Sequence, residues 1–310
     1  MKFRIALFGG TGFIGSYVLD KLLEQGFLVN VLVRDGNEHK YPGNHENLTL
    51  IQGNATNESD QMATLYNADC VIYLIGLIRE FPSKGITFNS LHYKVPMQLL
   101  KLSEKLGLKK YIYMSANGIK PDGTLYQTTK YNAEKKLKKS SLNYTIFRPS
   151  IVFGDPNGKT EFCTQLKNDL ICQPLPVPLF FEGFSFKFAG QFLMSPIHVN
   201  NVSEIIVKSI RDEKSNGKTY LLGGENNFSW KEIIQIISKV LNRKKILLPA
   251  PAEIVKLVAG LFSRWDWFPI TKDHITMLLE GNVCDSSETF DHFEIKPKKF
   301  CAKELAYLKD

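Results

Sequence analysis

Along residues 3–140, short runs of aliphatic and β-branched residues alternate with longer stretches in which apolar positions recur three and four apart. These are the two periodicities of buried strands and amphipathic helices. The runs at 3–8, 28–33, 48–52, 70–75, 110–114 and 144–147 predict six strands, and the stretches at 13–25, 58–66, 96–106 and 128–139 predict helices between them. Most of the runs are apolar on both faces, as a sheet covered by helices on each side requires. The pattern therefore predicts an α/β fold with a doubly wound parallel sheet over residues 1–154.

After Gly154 the alternation breaks. Residues 172–192, rich in proline and phenylalanine, read as a loop or a short edge hairpin. Helices are expected at 202–211, 229–241 and 252–262, the second opened by Ser229 with Glu232 three residues on, a capping box. Short strands are expected at 220–222 and 245–248. These form a smaller α/β lobe over 155–310, for a substrate or a partner, intertwined with the first domain. Residues 195–223 are expected to return to the first domain's core.

Composition adds mainly exclusions. With 310 residues, 44% hydrophobic and 23% charged, the chain has the profile of a folded globular protein. Its 39 basic and 31 acidic residues leave a formal charge of +8, which suits nucleic acid, anionic lipid or a phosphorylated small molecule. The lysines of 101–110 and 130–139 are interspersed with acids and few aromatics, so they read as solvated helix faces and not as a nucleic-acid platform. Five cysteines without a CxxC pair and six histidines without an HxxxH pair encode neither a disulfide framework nor a metal site. The apolar runs are broken well short of the roughly 20 residues that cross a bilayer, and the first is too short for a signal peptide. No transmembrane helix and a cytoplasmic, reducing location are expected. Residues 254–268 combine apolar helical spacing with Lys256, Arg264, Trp265 and Trp267, which fits an interfacial or partner-binding helix, or a core helix capped by aromatics.

The first strand runs directly into Gly9-Gly10-Thr11-Gly12-Phe13-Ile14-Gly15 and then into an amphipathic segment. A dinucleotide site needs a tight turn, a backbone bare of side chains where the diphosphate approaches, and a helix N-terminus facing the negative charge. Gly9, Gly12 and Gly15 supply these in order, with Thr11, Phe13 and Ile14 completing the loop. The second strand ends in Arg34, where a cation accommodates the 2′-phosphate of NADP and an acid would bind the 2′-hydroxyl of NAD. NADP(H) is therefore preferred, with NAD(H) possible because Asp35 follows at once.

A second constellation joins Tyr126 and Lys130, one helical turn apart, to Ser115 at the end of the fifth strand. A lysine on the same face lowers the pKa of a phenol, which can then exchange a proton with a reacting oxygen that a serine holds. The same spacing recurs at Tyr17 with Lys21 and at Tyr131 with Lys135. Only the Tyr126 pair opens a helix directly after a strand, at the sheet's carboxyl edge.

With these motifs the chain resembles the short-chain dehydrogenase/reductase superfamily in its extended, epimerase-like branch. GGTGFIG, the Ser115, Tyr126 and Lys130 trio, and Arg148-Pro-Ser-Ile-Val-Phe-Gly154 carry the likeness. Ser195-Pro-Ile-His-Val-Asn-Asn, Gly217-Lys-Thr-Tyr-Leu-Leu-Gly-Gly and the segment from Phe268 are similar to the subgroup of the nucleotide-binding accessory subunit of respiratory complex I. The resemblance implies a Rossmann-like fold, with Pro149 lining the nicotinamide end of the cofactor and Gly76 and Asn54 joining the cofactor-binding set. Asn54 stands where an aspartate commonly lies near the adenine. His92 stands where active epimerases carry an asparagine of the proton relay. The resemblance implies cofactor binding more firmly than catalysis, a respiratory or membrane-associated protein partner, and a place peripheral to the inner membrane.

Overall fold

The computed structural model describes residues 2–34, 36, 45–262 and 271–309. The chain forms two compact units, the first made of residues 1–149, 199–221 and 289–295. Its strands are β1 (Arg4–Phe8), β2 (Leu28–Val33), β3 (Leu48–Gln52), β4 (Cys70–Tyr73), β5 (Lys110–Met114) and β6 (Asn143–Pro149), closed at one edge by β7 (Lys218–Leu222). Between them run helices α1 (Phe13–Glu24), α2 (Glu58–Leu65), α3 (Val95–Leu106) and α4 (Leu125–Leu137), with α5 (Val199–Ser209) packed against α1.

In the sheet the strands stand in the order β3, β2, β1, β4, β5, β6, β7. The first six pair in parallel, with Ile5 of β1 opposite both Val29 and Cys70. Their apolar residues are buried on both faces along β1, β2, β4 and β5, which is why these runs lack the alternation of a half-solvated strand. Chain order turns outward from β1 in both directions, so the crevice between β1 and β4 is the switch point at which open α/β sheets bind ligands.

Two local expectations need correcting. Helix α4 starts at Leu125 and not at 128, because Thr124 caps it: its hydroxyl accepts from the Gln127 N–H at 3.4 Å while the Gln127 side chain accepts from the Thr124 N–H at 2.8 Å. The lysine-rich faces are not uniformly solvated, since Lys110 and Lys130 are buried. The Lys110 ammonium donates to the carbonyls of Ser209 and Asp212 and to the Ser215 hydroxyl, at 2.6 to 3.0 Å.

The second unit comprises residues 150–198, 222–288 and 296–310. In place of an edge hairpin in 172–192, strand Val177–Phe181 pairs in parallel with Leu247–Pro251, Val177 opposite Leu247. A two-stranded ladder tolerates Pro178, Pro249 and Pro251 because each strand keeps an unpaired edge. The unit's core gathers Trp230, Ile233, Ile234 and Ile237 of helix Trp230–Val240 with Val177 and Phe180. Helix Ala252–Phe262 buries Ala252 and Ala259 but leaves Ile254, Leu257 and Leu261 exposed. Ala252 belongs to the unit's core cluster and Val255 packs against it, so one face of the helix is core and the other faces solvent; Arg264, Trp265 and Trp267 lie outside the described residues. Among the described residues no helix is long and apolar enough to cross a membrane.

Candidate functional site

The turn after β1 is shaped by close backbone approach. Gly9 has φ +91°, and its carbonyl accepts from the Gly12 N–H at 3.0 Å. A Cβ at Gly15 would stand 2.0 Å from the Gly9 oxygen, and one at Gly9 would stand 2.9 Å from the Ile75 nitrogen in the loop after β4. Neither position has room for a side chain. Gly12 caps α1 with extended backbone and no side chain, and the helix's first turn holds no acid. Among the described residues the N–H donors at the start of α1 thus meet no capping side chain, and no acid stands in its first turn. This bare backbone cradle at the switch point fits a diphosphate. Thr11, Phe13 and Ile14 are partly buried beside it, and the Phe13 ring packs edge-on against Tyr17 at 6.0 Å, which gives Tyr17 a packing role within α1.

Arg34 is exposed at the end of β2; Asp35 lies outside the described residues. Asn54 turns its side-chain oxygen to the N–H and hydroxyl of Thr56, at 3.1 and 3.0 Å, and its own N–H to the Asp60 carboxylate at 2.8 Å. Gly76 is exposed with open space where a Cβ would stand. Pro149 ends β6, and its carbonyl accepts from the Asn117 N–H at 2.9 Å.

The proton-transfer candidates meet where β5 ends. Lys130, buried in α4, donates to the Met114 carbonyl at 3.1 Å, one residue before Ser115. Its ammonium lies 5.7 Å from the ring centres of both Tyr113 and Tyr126, within cation–π range. Burial lowers this ammonium to about 8, opposed by the Glu134 carboxylate. Burial pushes the Tyr126 phenol up to about 12, so the group is neutral at physiological pH. The Ser115 hydroxyl is buried and has no hydrogen-bond partner among the described residues.

His92 stands in the same cluster. Its ring meets Tyr126 edge-on at 5.2 Å and stacks on Phe88 at 5.2 Å, while Phe88 also packs edge-on against Tyr126 at 5.6 Å. Its Nε2 accepts from the Leu77 N–H at 3.0 Å, which puts the ring proton on Nδ1. That nitrogen is buried without a hydrogen-bond partner among the described residues. Burial, and then the charge of Lys130, hold the imidazole down at about 2, so it is neutral throughout the physiological range.

Three features lie outside the sequence reading. Residues Asn89–Lys94 form a turn of π-helix ahead of α3, a local widening that re-aims side chains. Tyr73 and Tyr113, paired in register on β4 and β5, donate to the carbonyls of Leu91 and His92 within it, at 2.5 and 3.2 Å. Arg148, read as part of a cofactor-lining segment, grips the buried Glu134 of α4 with two bonds of 2.9 and 2.7 Å. The T-x-x-Q spacing at Thr124 was a readable signal for the start of α4; the tyrosine and arginine contacts join separate strands and helices and left no local trace.

A protein-family model described as NAD(P)H-binding matches residues 9–170. The 40 kDa subunit of mitochondrial NADH-ubiquinone oxidoreductase from Neurospora crassa is 24% identical over 97% of this chain and 78% of its own. A photosystem II assembly factor from Trieres chinensis is 20% identical over 99% of this chain and 90% of its own. Among solved structures, the UDP-glucose 4-epimerase of Thermus thermophilus in complex with NAD shares the fold, with a TM-score of 0.73 and 17% identity over 99% of this chain and 98% of that one. A glycine cradle at the switch point of a doubly wound sheet and a family match over more than half the chain together place the protein in the NAD(P)H-binding family.

Proposed function

We propose that the chain is a cofactor-loaded accessory or assembly factor, holding NADP(H) between Gly9 and Gly15 and serving a respiratory or membrane-associated protein partner. The observation that carries the reading is the cradle itself, where a Cβ at Gly15 would stand 2.0 Å from the Gly9 oxygen. One relative is named as a subunit of NADH-ubiquinone oxidoreductase and another as a photosystem II assembly factor, which supports a role within a larger assembly. In this reading Thr11, Gly12, Phe13, Ile14 and Gly15 bind the diphosphate, Arg34 the 2′-phosphate, Asn54 the adenine side, and Gly76 and Pro149 the nicotinamide side. Bound nucleotide then stabilises the fold by mass action, by about 2.7 kcal/mol at a hundredfold excess over Kd. A neutral phenol packed edge-on against the stacked Phe88 and His92 rings favours this role over turnover.

A second reading, an active reductase or epimerase, draws on Lys130 beside the strand that delivers Ser115. The nicotinamide would supply hydride chemistry when bound. Ser115 would orient the substrate oxygen, Tyr126 would move its proton, and Lys130 would draw the phenol's pKa down. Calorimetric titration with each coenzyme tests the common ground. NADPH should bind more tightly than NADH, and Arg34→Glu should weaken NADPH about tenfold more than NADH through loss of a charge-assisted contact. Equal losses would remove the NADP preference, and no heat with either coenzyme would remove the nucleotide reading. Substrate-dependent nicotinamide oxidation that disappears in Tyr126→Phe would establish the enzyme; its absence across carbonyl substrates is the result the accessory role expects.

A further inference from the structure

In the second unit the chain doubles back where helix Trp230–Val240 ends. Asn242 takes the left-handed conformation, φ +51°, and there its N–H donates to the Lys239 carbonyl at 3.1 Å, while the Arg243 N–H donates to the Ser238 carbonyl at 2.9 Å. Residues 243–245 therefore return beside the last turn of the helix. Ile234, Ser238 and Lys239 from the helix, with Arg243, Lys244 and Leu247 from the returning chain, line a cavity of about 410 Å³. That volume lies within the range of about 300–1,000 Å³ that small-molecule sites occupy. Ser238 is only 7% exposed, and its hydroxyl is buried with no hydrogen-bond partner among the described residues.

Charge decides what the cavity can hold. Residues 233–252 carry four cations and no acid, and all four, with Lys245 as the last, line the cavity. Lys245 is anchored, its ammonium donating to the carbonyls of Gln173 and Leu175 at 2.6 Å, whereas Lys239, Arg243 and Lys244 are exposed. Cations often serve to cap a helix end, yet here the carbonyls of Ile237, Ser238 and Lys239 are already taken by the N–H groups of Leu241, Arg243 and Asn242. The helix's carboxyl end carries about half a negative charge, small against four positive ones. The neighbouring turn Lys167–Ile171, packed against the helix, brings Asp169 together with Lys167, which offsets it. Among the described residues no aromatic ring lines the cavity, so nucleic-acid bases have nothing to stack on there. A hollow ringed by cations, with a recessed hydroxyl in need of an acceptor, suits a compact oxyanion.

We propose that this cavity binds the phosphate or diphosphate group of a phosphorylated small molecule. Lys239, Arg243 and Lys244 neutralise the group, the Ser238 hydroxyl donates to one of its oxygens, and Ile234 and Leu247 meet the organic part. The site is independent of the nucleotide reading and uses none of its residues. The test is calorimetric titration of the full chain with inorganic pyrophosphate, alone and with NADPH in excess, at low and high salt. Binding is expected in both cases, weaker by about tenfold or more at high salt. Arg243→Gln with Lys244→Gln should lose about tenfold or more in pyrophosphate affinity, and Ser238→Ala about tenfold, with far-ultraviolet dichroism and NADPH binding unchanged. Lys135→Gln with Lys136→Gln, at exposed positions of α4, removes the same charge elsewhere and should change the affinity less than about twofold. No heat with pyrophosphate, heat that vanishes once NADPH is bound, or undiminished binding by either cavity variant would overturn the proposal. An equal loss in the α4 variant would also overturn it, assigning the binding to net charge alone. Should NADPH itself not bind, the cavity variants still decide, since they lie outside the glycine cradle.

Discussion

His92 shows how much chemistry a single residue draws from its surroundings. In water an imidazole titrates near neutrality, yet here burial and Lys130 hold it at about 2. A group whose folded pKa lies below its unfolded value takes up a proton on unfolding at pH values between the two. Its contribution to stability is therefore complete above the unfolded value of about 6.5 and is lost as pH falls below it. His198, lowered to about 4 by burial and by Lys298 against the pull of Glu304, acts in the same direction. Urea midpoints should fall between pH 7 and pH 5, and His92→Gln should flatten that slope while leaving the part due to His198. An unchanged slope would show that position 92 is not held neutral by the fold. The sequence told part of this. The glycine spacing was legible because its turn is local, whereas the tautomer of His92 depends on Leu77 and its neutrality on burial and then on Lys130, none of which its own neighbours in the chain reveal.

At the scale of elements, α4 is positioned by two devices of different visibility. The Thr124 and Gln127 capping box is written in four consecutive residues and could be read directly. The Arg148 to Glu134 pair could not, because it joins a strand to a helix 14 positions apart. Glu134 sits one turn beyond Lys130 and is almost fully buried, so it needs its partner. Arg148→Met should cost about 3–5 kcal/mol in chemical denaturation by leaving a buried carboxylate to the partly exposed Lys138 ammonium at 3.4 Å and the field of Lys130. A cost under about 1 kcal/mol would mean that Lys138 and solvent suffice. Strands were the most legible elements, since four of the seven in the first unit are buried on both faces and read as unbroken apolar runs. The ladder between 177–181 and 247–251 escaped notice because its prolines signal loops when the partner strand is unknown.

For the whole molecule, what matters is that the first unit is discontinuous in sequence. β7 lies beside β6, with the Gly217 N–H donating to the Tyr144 carbonyl at 2.7 Å, and Phe147 of β6 stacks on Tyr220 at 5.8 Å and packs against Phe293 at 6.4 Å. A chain ending at 154 would lack all three partners as well as α5. Expressed alone, it should aggregate or bind a hydrophobic dye, because β6 keeps a bare edge and apolar face. A monomeric 1–154 fragment with a cooperative melt would refute this. The same arrangement bears on synthesis. Residue 222 follows Pro149 by 73 positions, so at roughly 5–20 residues per second a nascent chain carries that open edge for about 4–15 s after β6 has emerged. The ribosome delivers the nucleotide cradle first and its closing strand last, and in the interval chaperones or early coenzyme capture would protect the growing polypeptide.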